Sequence, residues 1–306
     1  MKIRKPLFWN NKNLISLSLI PVSLITFIIN FFKNFLLKKN YKIKTICVGN
    51  IYVGGTGKTS LSIEINNILK KKFKTVFIKK KYINQLDERE LLKINGSVFS
   101  DNDRKMSLIK AENSRKFNLA ILDDGLQDKT IKYDISIACF NSSYGVGNGL
   151  LIPAGPLREN LSMLRNYSAI FLNGEKKNKR LFSILKEFNN HIFYSNYIST
   201  NIRKFNRKSK YLYFCGIGNP EEFEYTLKKY KFNIVKKIIF PDHHNFKDKE
   251  IDEIKKIAFE NKLKIVTTEK DYKRLNTKNK KNIDYLKIKL KIKNLNKFRK
   301  FLKERL

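Results

Sequence analysis

The sequence predicts an α/β protein: a parallel-sheet domain, a smaller α/β lobe after it, and a membrane-associated helix before it. Short apolar runs alternate with helical segments through most of the 306 residues, which favours a parallel sheet with helices on both faces. The same alternation restarts at Tyr211, and residues 14–32 contain no charged side chain. We therefore predict an N-terminal helix within 1–40, a first domain over 41–175, and a linker with the second lobe over 176–306.

Composition limits the classes of partner. The formal net charge is +37, and hydrophobic residues make up 42% of the chain, which is enough for packed cores. This charge is compatible with compositional drift towards lysine, with an anionic membrane surface, or with nucleic acid. The lysines do not gather with stacking aromatic residues, so no nucleic-acid partner is expected. The isolated Cys47, Cys139 and Cys215 are interpreted as small apolar core residues in a reducing compartment.

The apolar run 14–32 is the first predicted element. As one helix it would be about 28 Å long, close to the ~30 Å hydrocarbon core of a bilayer. Basic residues flank both of its ends, so they indicate no orientation. A buried core helix is the alternative, and a cleaved signal peptide is disfavoured because no small-residue cleavage site follows. We predict a membrane-inserted anchor that spans the bilayer or lies in one leaflet.

The segment 52–59 follows the first apolar strand, 44–48, and opens a helical segment. Its glycines allow backbone N–H groups to converge on phosphate oxygens, Lys58 adds a positive charge, and the Thr59 hydroxyl can bind Mg²⁺. The strict motif has glycine where this chain has Tyr52, and a simple glycine turn is the alternative. We predict a P-loop NTPase-like domain that binds ATP and Mg²⁺ through Gly54, Gly55, Thr56, Gly57, Lys58 and Thr59.

Two acidic pairs follow the next apolar strands. Asp87 and Glu88 lie beyond the strand 75–78, where carboxylates either begin a solvated helix or supply catalysis. Asp123 and Asp124 come directly after the strand 119–122. In a phosphate-loop protein, carboxylates at this strand end hold Mg²⁺ directly or through water. Taken alone, Asp-Asp-Gly is also typical of a simple turn.

A segment rich in Gly and Pro lies between the last two predicted strands of the first sheet, 135–140 and 169–172. It covers residues 145–159 and ends in Arg158 and Glu159. Long ordered loops at strand ends usually serve binding, and an ordinary crossover loop is the alternative.

The second lobe repeats the pattern with strands 211–214, 238–240 and 263–266. Asn219 is a natural N-cap before Pro220, another helix is predicted over 249–260, and the chain ends in a basic helix at Leu306. Polar motifs follow two of these strands. They are Asp242-His243-His244 after 238–240 and Thr267-Thr268-Glu269-Lys270-Asp271 after 263–266. A histidine beside a carboxylate can accept or relay a proton. The second motif is either a capped helix start or a surface facing the cleft between the lobes.

Together these motifs resemble the tetraacyldisaccharide 4'-kinase family, the lipid A 4'-kinases. The matching segments run along almost the whole chain: 5–9, 48–50, 54–59, 123–127, 147–149, 153–159, 240–244 and 267–271. The resemblance implies an enzyme at the cytoplasmic face of the bacterial inner membrane. Such an enzyme transfers the γ-phosphate of ATP to the 4'-hydroxyl of an acylated glucosamine disaccharide 1-phosphate and forms lipid IV-A.

The resemblance also implies roles for single residues. Asp87 would be the catalytic base, and His243 would partner it from the other lobe when the lobes close around the substrate. The remaining roles are phosphate and cofactor binding by residues 54–59 with Arg158 and Glu159, and Mg²⁺ binding by Thr59, Asp123 and Asp124.

Two positions depart from the family pattern. The family has Ser-Arg-Gly-Tyr where this chain has Lys79-Lys80-Lys81-Tyr82, and a histidine where this chain has Asp128. A lysine can meet a phosphate as a point charge but lacks the bidentate geometry of arginine.

A membrane-tethered P-loop ATPase switch of the positioning or targeting type is the alternative function. Such switches share a similar glycine loop but need neither the 242–244 motif nor the 267–271 motif, so the second lobe favours the kinase. The sequence yields no prediction of the oligomeric state.

Overall fold

The computed structural model describes residues 6–82, 86–174 and 178–306; of residues 86 and 87 it describes the backbone alone. The chain divides into two compact units. The larger unit comprises Lys5–Asn196 and Ile292–Leu306, and the smaller comprises Tyr197–Lys291. The domain boundaries predicted after residues 40 and 175 stay predictions.

The described part of the chain contains the following strands: β1 Lys44–Gly49, β2 Thr75–Lys79, β3 Val98–Phe99, β4 Leu119–Asp123, β5 Ile135–Asn141, β6 Ala169–Asn173, β7 Ile192–Ser199, β8 Lys210–Cys215, β9 Asn233–Ile239, β10 Lys264–Thr268, β11 Ile283–Leu286 and β12 Ile288–Ile292. The α-helices are α1 Leu14–Ser18, α2 Ile20–Lys33, α3 Lys58–Leu69, α4 Leu86–Asn95, α5 Arg104–Asn113, α6 Lys179–Lys186, α7 Pro220–Lys229, α8 Asp248–Glu260, α9 Glu269–Arg274 and α10 Leu295–Lys303.

The large sheet has the strand order β12-β7-β6-β5-β1-β4-β2-β3. The six neighbouring pairs of strands from β3 to β7 are all parallel. Strands β4 and β5 are buried at every residue because their apolar side chains face helices on both sides of the sheet. The carboxyl ends of β1, β4 and β2 therefore meet at one edge, which is where open α/β sheets bind ligands.

The core of the larger unit includes two of the three cysteines. Cys47 and Cys139 are fully buried, and Cys215 is buried in the smaller unit, as the sequence predicts. Burial raises the pKa of the Cys47 thiol to about 12, so the thiol stays protonated near neutral pH. These cysteines are packing residues.

The smaller unit has a parallel sheet in the order β11-β10-β8-β9. Alternate residues of β8 face opposite sides of this sheet. Leu212 and Phe214 pack with α8, while Tyr211 and Tyr213 pack with α7, so helices cover both faces. Asn219 caps α7 as predicted, since its side chain accepts a hydrogen bond from the backbone N–H of Glu222.

The N-terminal apolar run forms α1 and α2, so the expectation of one continuous helix over 14–32 is wrong. The break lies at Leu19, two residues before Pro21, which is in the first turn of α2. Proline lacks the N–H of a helix interior, and its ring conflicts with the carbonyl four residues earlier. Among the described residues, no helix combines the length and the apolar character that crossing a bilayer requires.

The polar residues of α2 lie on one stripe and dock the helix on the larger unit. The Ser23 and Thr26 hydroxyls donate hydrogen bonds to the carbonyls of Leu151 and Ile152 at 2.9 and 2.8 Å. The Asn30 amide donates to the carbonyl of Arg158 at 2.7 Å. Spacings of three and four residues place these side chains on one face of the helix. The other faces leave many large apolar side chains exposed.

Candidate active site

The phosphate-loop candidate lies between the carboxyl end of β1 and the first residue of α3. Gly54 and Gly57 have φ values of 133° and 84°, in a backbone region that residues with a side chain rarely adopt. Gly57 immediately precedes α3, and no side chain caps that helix start. The first backbone N–H groups of α3 are therefore available to an anion, as the sequence predicts.

Asn50 braces this loop from the buried side. It is fully buried, and its amide nitrogen donates to the carbonyls of Tyr52 and Gly54, the latter at 3.3 Å. The Gln127 amide donates in turn to the Asn50 carbonyl at 2.8 Å. These two amides were not predicted as functional, although both lie within motifs of the resemblance. Their contacts brace the backbone of the loop.

Lys58 and Thr59 face the two aspartates predicted to form the metal environment. The Thr59 hydroxyl donates to Oδ2 of Asp123 at 3.0 Å, and Lys58 Nζ lies 3.8 Å from Oδ1 of Asp124. The strand register explains this proximity, since β1 and β4 are neighbours and their carboxyl ends coincide. The structure thus brings four predicted site residues together.

Asp124 is held in a left-handed backbone conformation, with φ of 63°. Its N–H donates to the Val48 carbonyl at 2.7 Å, and the buried Arg104 guanidinium donates to its carbonyl. Burial alone raises the pKa of the Asp124 carboxyl, but Lys58, Arg158 and nearby cations outweigh it and hold the pKa below its usual value. Asp124 is therefore ionised at neutral pH.

Arg158 and Glu159 have different surroundings although they are adjacent. Arg158 Nη1 lies 3.3 Å from the carboxylate of Asp124 and from the side-chain oxygen of Gln127. The Glu159 carboxylate is buried and accepts from Lys129 Nζ at 2.9 Å and from the Tyr167 hydroxyl at 2.5 Å. Arg158 thus joins the aspartate cluster, while the contacts of Glu159 brace the end of the 145–159 loop. Cofactor binding by Glu159 stays a prediction.

Lys79 is a member of the cluster to which the sequence predicts no role. It ends β2, and its Nζ lies 2.7 Å from Oδ2 of Asp123 and 2.5 Å from Oε2 of Glu88. The sequence departs from the family motif at 79–82, so this position is recognisable as unusual. The contacts of the lysine follow only from the register of the sheet. The other departing residue, Asp128, accepts a hydrogen bond from the Thr130 hydroxyl at 2.6 Å and stabilises a turn.

The donor set fits Mg²⁺ held jointly with a nucleotide. Oδ1 of Asp123 is a buried oxygen with no hydrogen-bond partner in the described part of the chain, and Thr59 lies on the other side of the same carboxylate. Hard divalent cations prefer such oxygen ligands. No cluster of three His, Cys, Asp or Glu side chains suited to a metal occurs in residues 6–82, 86–174 and 178–306.

His243 is held by a network in the smaller unit. The Arg274 guanidinium contacts His243 Nδ1 at 3.2 Å, the Gly216 carbonyl at 2.8 Å, and Oδ1 of Asp271 at 2.8 Å. Arginine can only donate, so Nδ1 of His243 accepts and the neutral ring carries its proton on Nε2. The ring therefore presents an N–H donor from Nε2.

The 267–271 motif supports this network. Of the two alternatives predicted for it, the capped helix start is the one that the structure contains. Thr268 caps α9, since its hydroxyl oxygen accepts from the Asp271 N–H at 3.1 Å. Burial raises the pKa of Asp271, partly offset by Arg274. His244 differs from His243, because it contacts Glu250 at 2.9 Å and stacks on Phe240. We interpret His244 as a packing residue.

Asp87 lies in the first turn of α4. Its side chain is outside the described part of the chain, and its predicted pairing with His243 stays a prediction. Its role as the base therefore rests on position in the sequence.

Comparison with known proteins connects these features. The family model described as tetraacyldisaccharide-1-P 4'-kinase (LpxK) matches residues 13–94 and 87–306. A tetraacyldisaccharide 4'-kinase of Pelagibacter ubique (strain HTCC1062) is 46% identical over 300 residues, covering 95% of each chain. Proteins with the same name from Rickettsia bellii (strain OSU 85-389) and Rickettsia akari (strain Hartford) are 34% and 31% identical. The alignment with the Rickettsia bellii protein covers 89% of both chains. The alignment with the Rickettsia akari protein covers 96% of this chain and 95% of that protein.

A solved structure supports the fold. The crystal structure of LpxK from Aquifex aeolicus in complex with ATP matches with a TM-score of 0.73 and 23% identity, covering 95% of this chain and 99% of that chain. The predicted α/β fold with a phosphate loop and a large parallel sheet is confirmed by this likeness.

Proposed function

The chain belongs to the tetraacyldisaccharide-1-P 4'-kinase family, and we propose that it transfers the γ-phosphate of ATP to the 4'-hydroxyl of an acylated glucosamine disaccharide 1-phosphate. The product is lipid IV-A, an intermediate of lipid A synthesis. One observation carries the proposal: Lys58 and Thr59 meet Asp123 and Asp124 at one sheet edge, in a chain that matches the family along nearly its whole length. The protein is accordingly a phosphotransferase.

The residues 54–59 bind the phosphates of ATP. Backbone N–H groups of the loop and the Lys58 ammonium contact phosphate oxygens, and Arg158 adds a second cation. Thr59, Asp123 and Asp124 would hold Mg²⁺, which when bound would neutralise charge on the phosphates. The unpartnered buried oxygen of Asp123 supports this assignment.

Asp87 accepts the proton of the 4'-hydroxyl. The hydroxyl oxygen bonds to the γ-phosphorus as the bond from that phosphorus to ADP breaks. His243 is the proposed partner of Asp87 in this proton transfer. The contact of Arg274 with Nδ1 supports this role, since it leaves the Nε2 proton as the donor of the neutral ring.

The enzyme acts at the cytoplasmic face of the bacterial inner membrane, where both ATP and an acylated substrate are accessible. Exposed apolar residues of α1, α2 and the following segment lie in the interface of the bilayer, among them Leu14 at 85% exposure and Phe35 at 70%. The net charge of +37 attracts an anionic lipid surface.

A transfer assay tests the proposal. The purified full chain is incubated with ATP labelled at the γ-phosphate, Mg²⁺ and the disaccharide 1-phosphate lipid in detergent. We expect label in the lipid, and no label with the Lys58→Ala variant. Lipid-independent release of labelled phosphate, without label in the lipid, would favour the membrane-tethered ATPase switch. Folded protein that binds ATP and labels no lipid contradicts the kinase proposal.

A further inference from the structure

Lys79 carries a buried positive charge at the edge of the sheet where the phosphate loop lies. It is the last residue of β2, and the parallel register pairs it with Asp123, the last residue of β4. The Lys79 side chain is 3% exposed and that of Asp123 is 0% exposed. Charged side chains are rarely buried without partners, so the contacts of Lys79 indicate what this charge is for.

The ammonium bridges two carboxylates that come from different elements. Its Nζ lies 2.7 Å from Oδ2 of Asp123 on β4 and 2.5 Å from Oε2 of Glu88 on α4. The Thr59 hydroxyl donates to the same Oδ2 at 3.0 Å. These distances are those of charge-assisted hydrogen bonds from one ammonium to two carboxylates.

The bridge depends on the identity of this residue. In the family motif that the chain resembles, serine stands at position 79, and a hydroxyl one carbon from the backbone carries no charge to pair with either acid. Lysine places an ammonium at the end of a four-carbon stem, where it can meet both. Removing the ammonium would take this cation away from the fully buried Asp123 carboxylate, which is strongly unfavourable.

Glu88 is in the first turn of α4 and follows Asp87 directly in the sequence. Fixing the Glu88 carboxylate therefore fixes the backbone turn that carries Asp87. The second end of the bridge is Asp123, on the strand beside the phosphate loop. The bridge thus connects the segment bearing the proposed base to the strand bearing the proposed Mg²⁺ ligand.

We propose that Lys79 is a positioning residue, which holds the first turn of α4 against Asp123 so that Asp87 is placed for proton transfer. This inference rests on the proposed kinase function, since it assigns Asp87 its role there. Lys79 itself contacts neither substrate in this scheme and acts through Glu88 and Asp123.

The test combines kinetics, ATP binding and hydrogen exchange on the full chain. In Lys79→Met, which keeps an unbranched stem of similar size and removes the ammonium, we expect kcat to fall about 10²-fold, because misplacement by about 1 Å has effects of that size. The KM for ATP should change less than about threefold. Backbone amides of α4 should exchange at least about tenfold faster, while those of α10 stay unchanged.

Further variants keep the test decisive if Lys79→Met folds poorly. Glu88→Gln should reproduce the effect, and the double variant should lose little more than either single one, because both break the same bridge. Lys79→Arg should recover most of the kcat. Lys81→Met removes an exposed lysine two positions further on and should behave as the wild type.

Unchanged kcat and unchanged α4 exchange in Lys79→Met would overturn the inference. So would equal losses of kcat and ATP affinity with α4 exchange unaltered, since they would assign Lys79 to nucleotide binding. If the wild type transfers no phosphate to lipid, the kinase proposal fails. Even then the exchange of α4 amides reports whether the bridge orders that helix.

Discussion

Asp87 is the residue on which the proposed proton transfer depends most directly. We expect Asp87→Asn to lower phosphate transfer by about 10²- to 10⁴-fold, the usual contribution of a general base, and to leave ATP binding unchanged. Transfer of label to lipid and calorimetric titration with Mg²⁺ and ATP measure the two effects. Glu90→Gln, which changes an exposed carboxylate on the same helix, is the control. Parallel loss of transfer and ATP binding would mean that Asp87 has a structural role.

The contact between Arg274 and His243 leads to a second prediction at this scale. In Arg274→Met, Nδ1 of His243 loses its donor, so both neutral tautomers become populated and kcat falls about tenfold. Nitrogen NMR of the imidazole rings can measure the tautomer populations of His243 directly, because the chain has only three histidines. Lys273→Met is a matched control on the exposed side of the same helix. A single Nε2–H tautomer in both wild type and Arg274→Met would contradict the assignment.

Among the secondary-structure elements, α10 shows how the end of the chain stabilises the larger unit. Phe298 is fully buried, with its ring 4.8 Å from that of Phe193 on β7 and 5.6 Å from that of Phe171 on β6. We expect Phe298→Ala to lower the free energy of unfolding by about 3–5 kcal/mol, because it leaves a cavity among aromatic rings. Urea unfolding measures this change, and exposed Lys297→Ala should have almost no effect. A loss below about 1 kcal/mol would show that α10 is not part of this core.

Helix α7 is tied to its sheet by Glu224. Hydrogen bonds from Lys228, Tyr213 and Lys237 hold the pKa of Glu224 at about 2, below the ordinary value of 4.5. A lowered carboxyl pKa stabilises the fold above the unfolded value and loses that contribution as the pH falls from about 4.5 towards 2. Glu224→Gln should therefore lower the free energy of unfolding by about 1 kcal/mol at pH 6, and the difference from wild type should shrink between pH 4.5 and 3. Urea unfolding at each pH checks this, with Glu221→Gln as the exposed control.

For the molecule as a whole, the main expectation is binding to membranes. Phe31, Phe32 and Phe35 are each at least half exposed at the end of α2. Replacing all three with serine should weaken binding to vesicles of anionic lipid by at least about 10²-fold, because each buried phenyl ring contributes about 1.5–3 kcal/mol. Sedimentation with vesicles measures the binding. Phe259→Ser is the control, because Phe259 is 87% exposed but lies on α8 in the smaller unit.

The sequence predicts those features of the molecule that depend on residues close together in the chain. Continuous apolar runs predict β4 and β5 to within one residue, because both faces of those strands are buried. Strand β9 begins at Asn233 and not at 238, since most of its residues are exposed and its lysines interrupt any apolar pattern. The phosphate loop and the aspartates are found by motif. The bridge made by Lys79 depends on strand register, which no local pattern reports.

The same reasoning explains the N-terminal segment. The mean hydropathy of the apolar run, by which a membrane span is recognised, is lowered by Ser23, Thr26 and Asn30. Their spacing of three and four residues is the informative signal, because it defines one polar face. That face is the one bonded to the loop 151–158.

The attachment of α2 has a consequence for which lipids can react. The Asn30 amide bonds the Arg158 carbonyl, and the Arg158 guanidinium contacts Asp124. Two short contacts therefore link the apolar surface to the phosphate-binding edge, in place of a flexible tether. In the proposed membrane-bound state, the depth at which the protein rests in the lipid would set the height above the hydrocarbon at which phosphate is transferred. Selection would depend on how far a sugar hydroxyl stands from its acyl chains, as well as on the identity of the sugar.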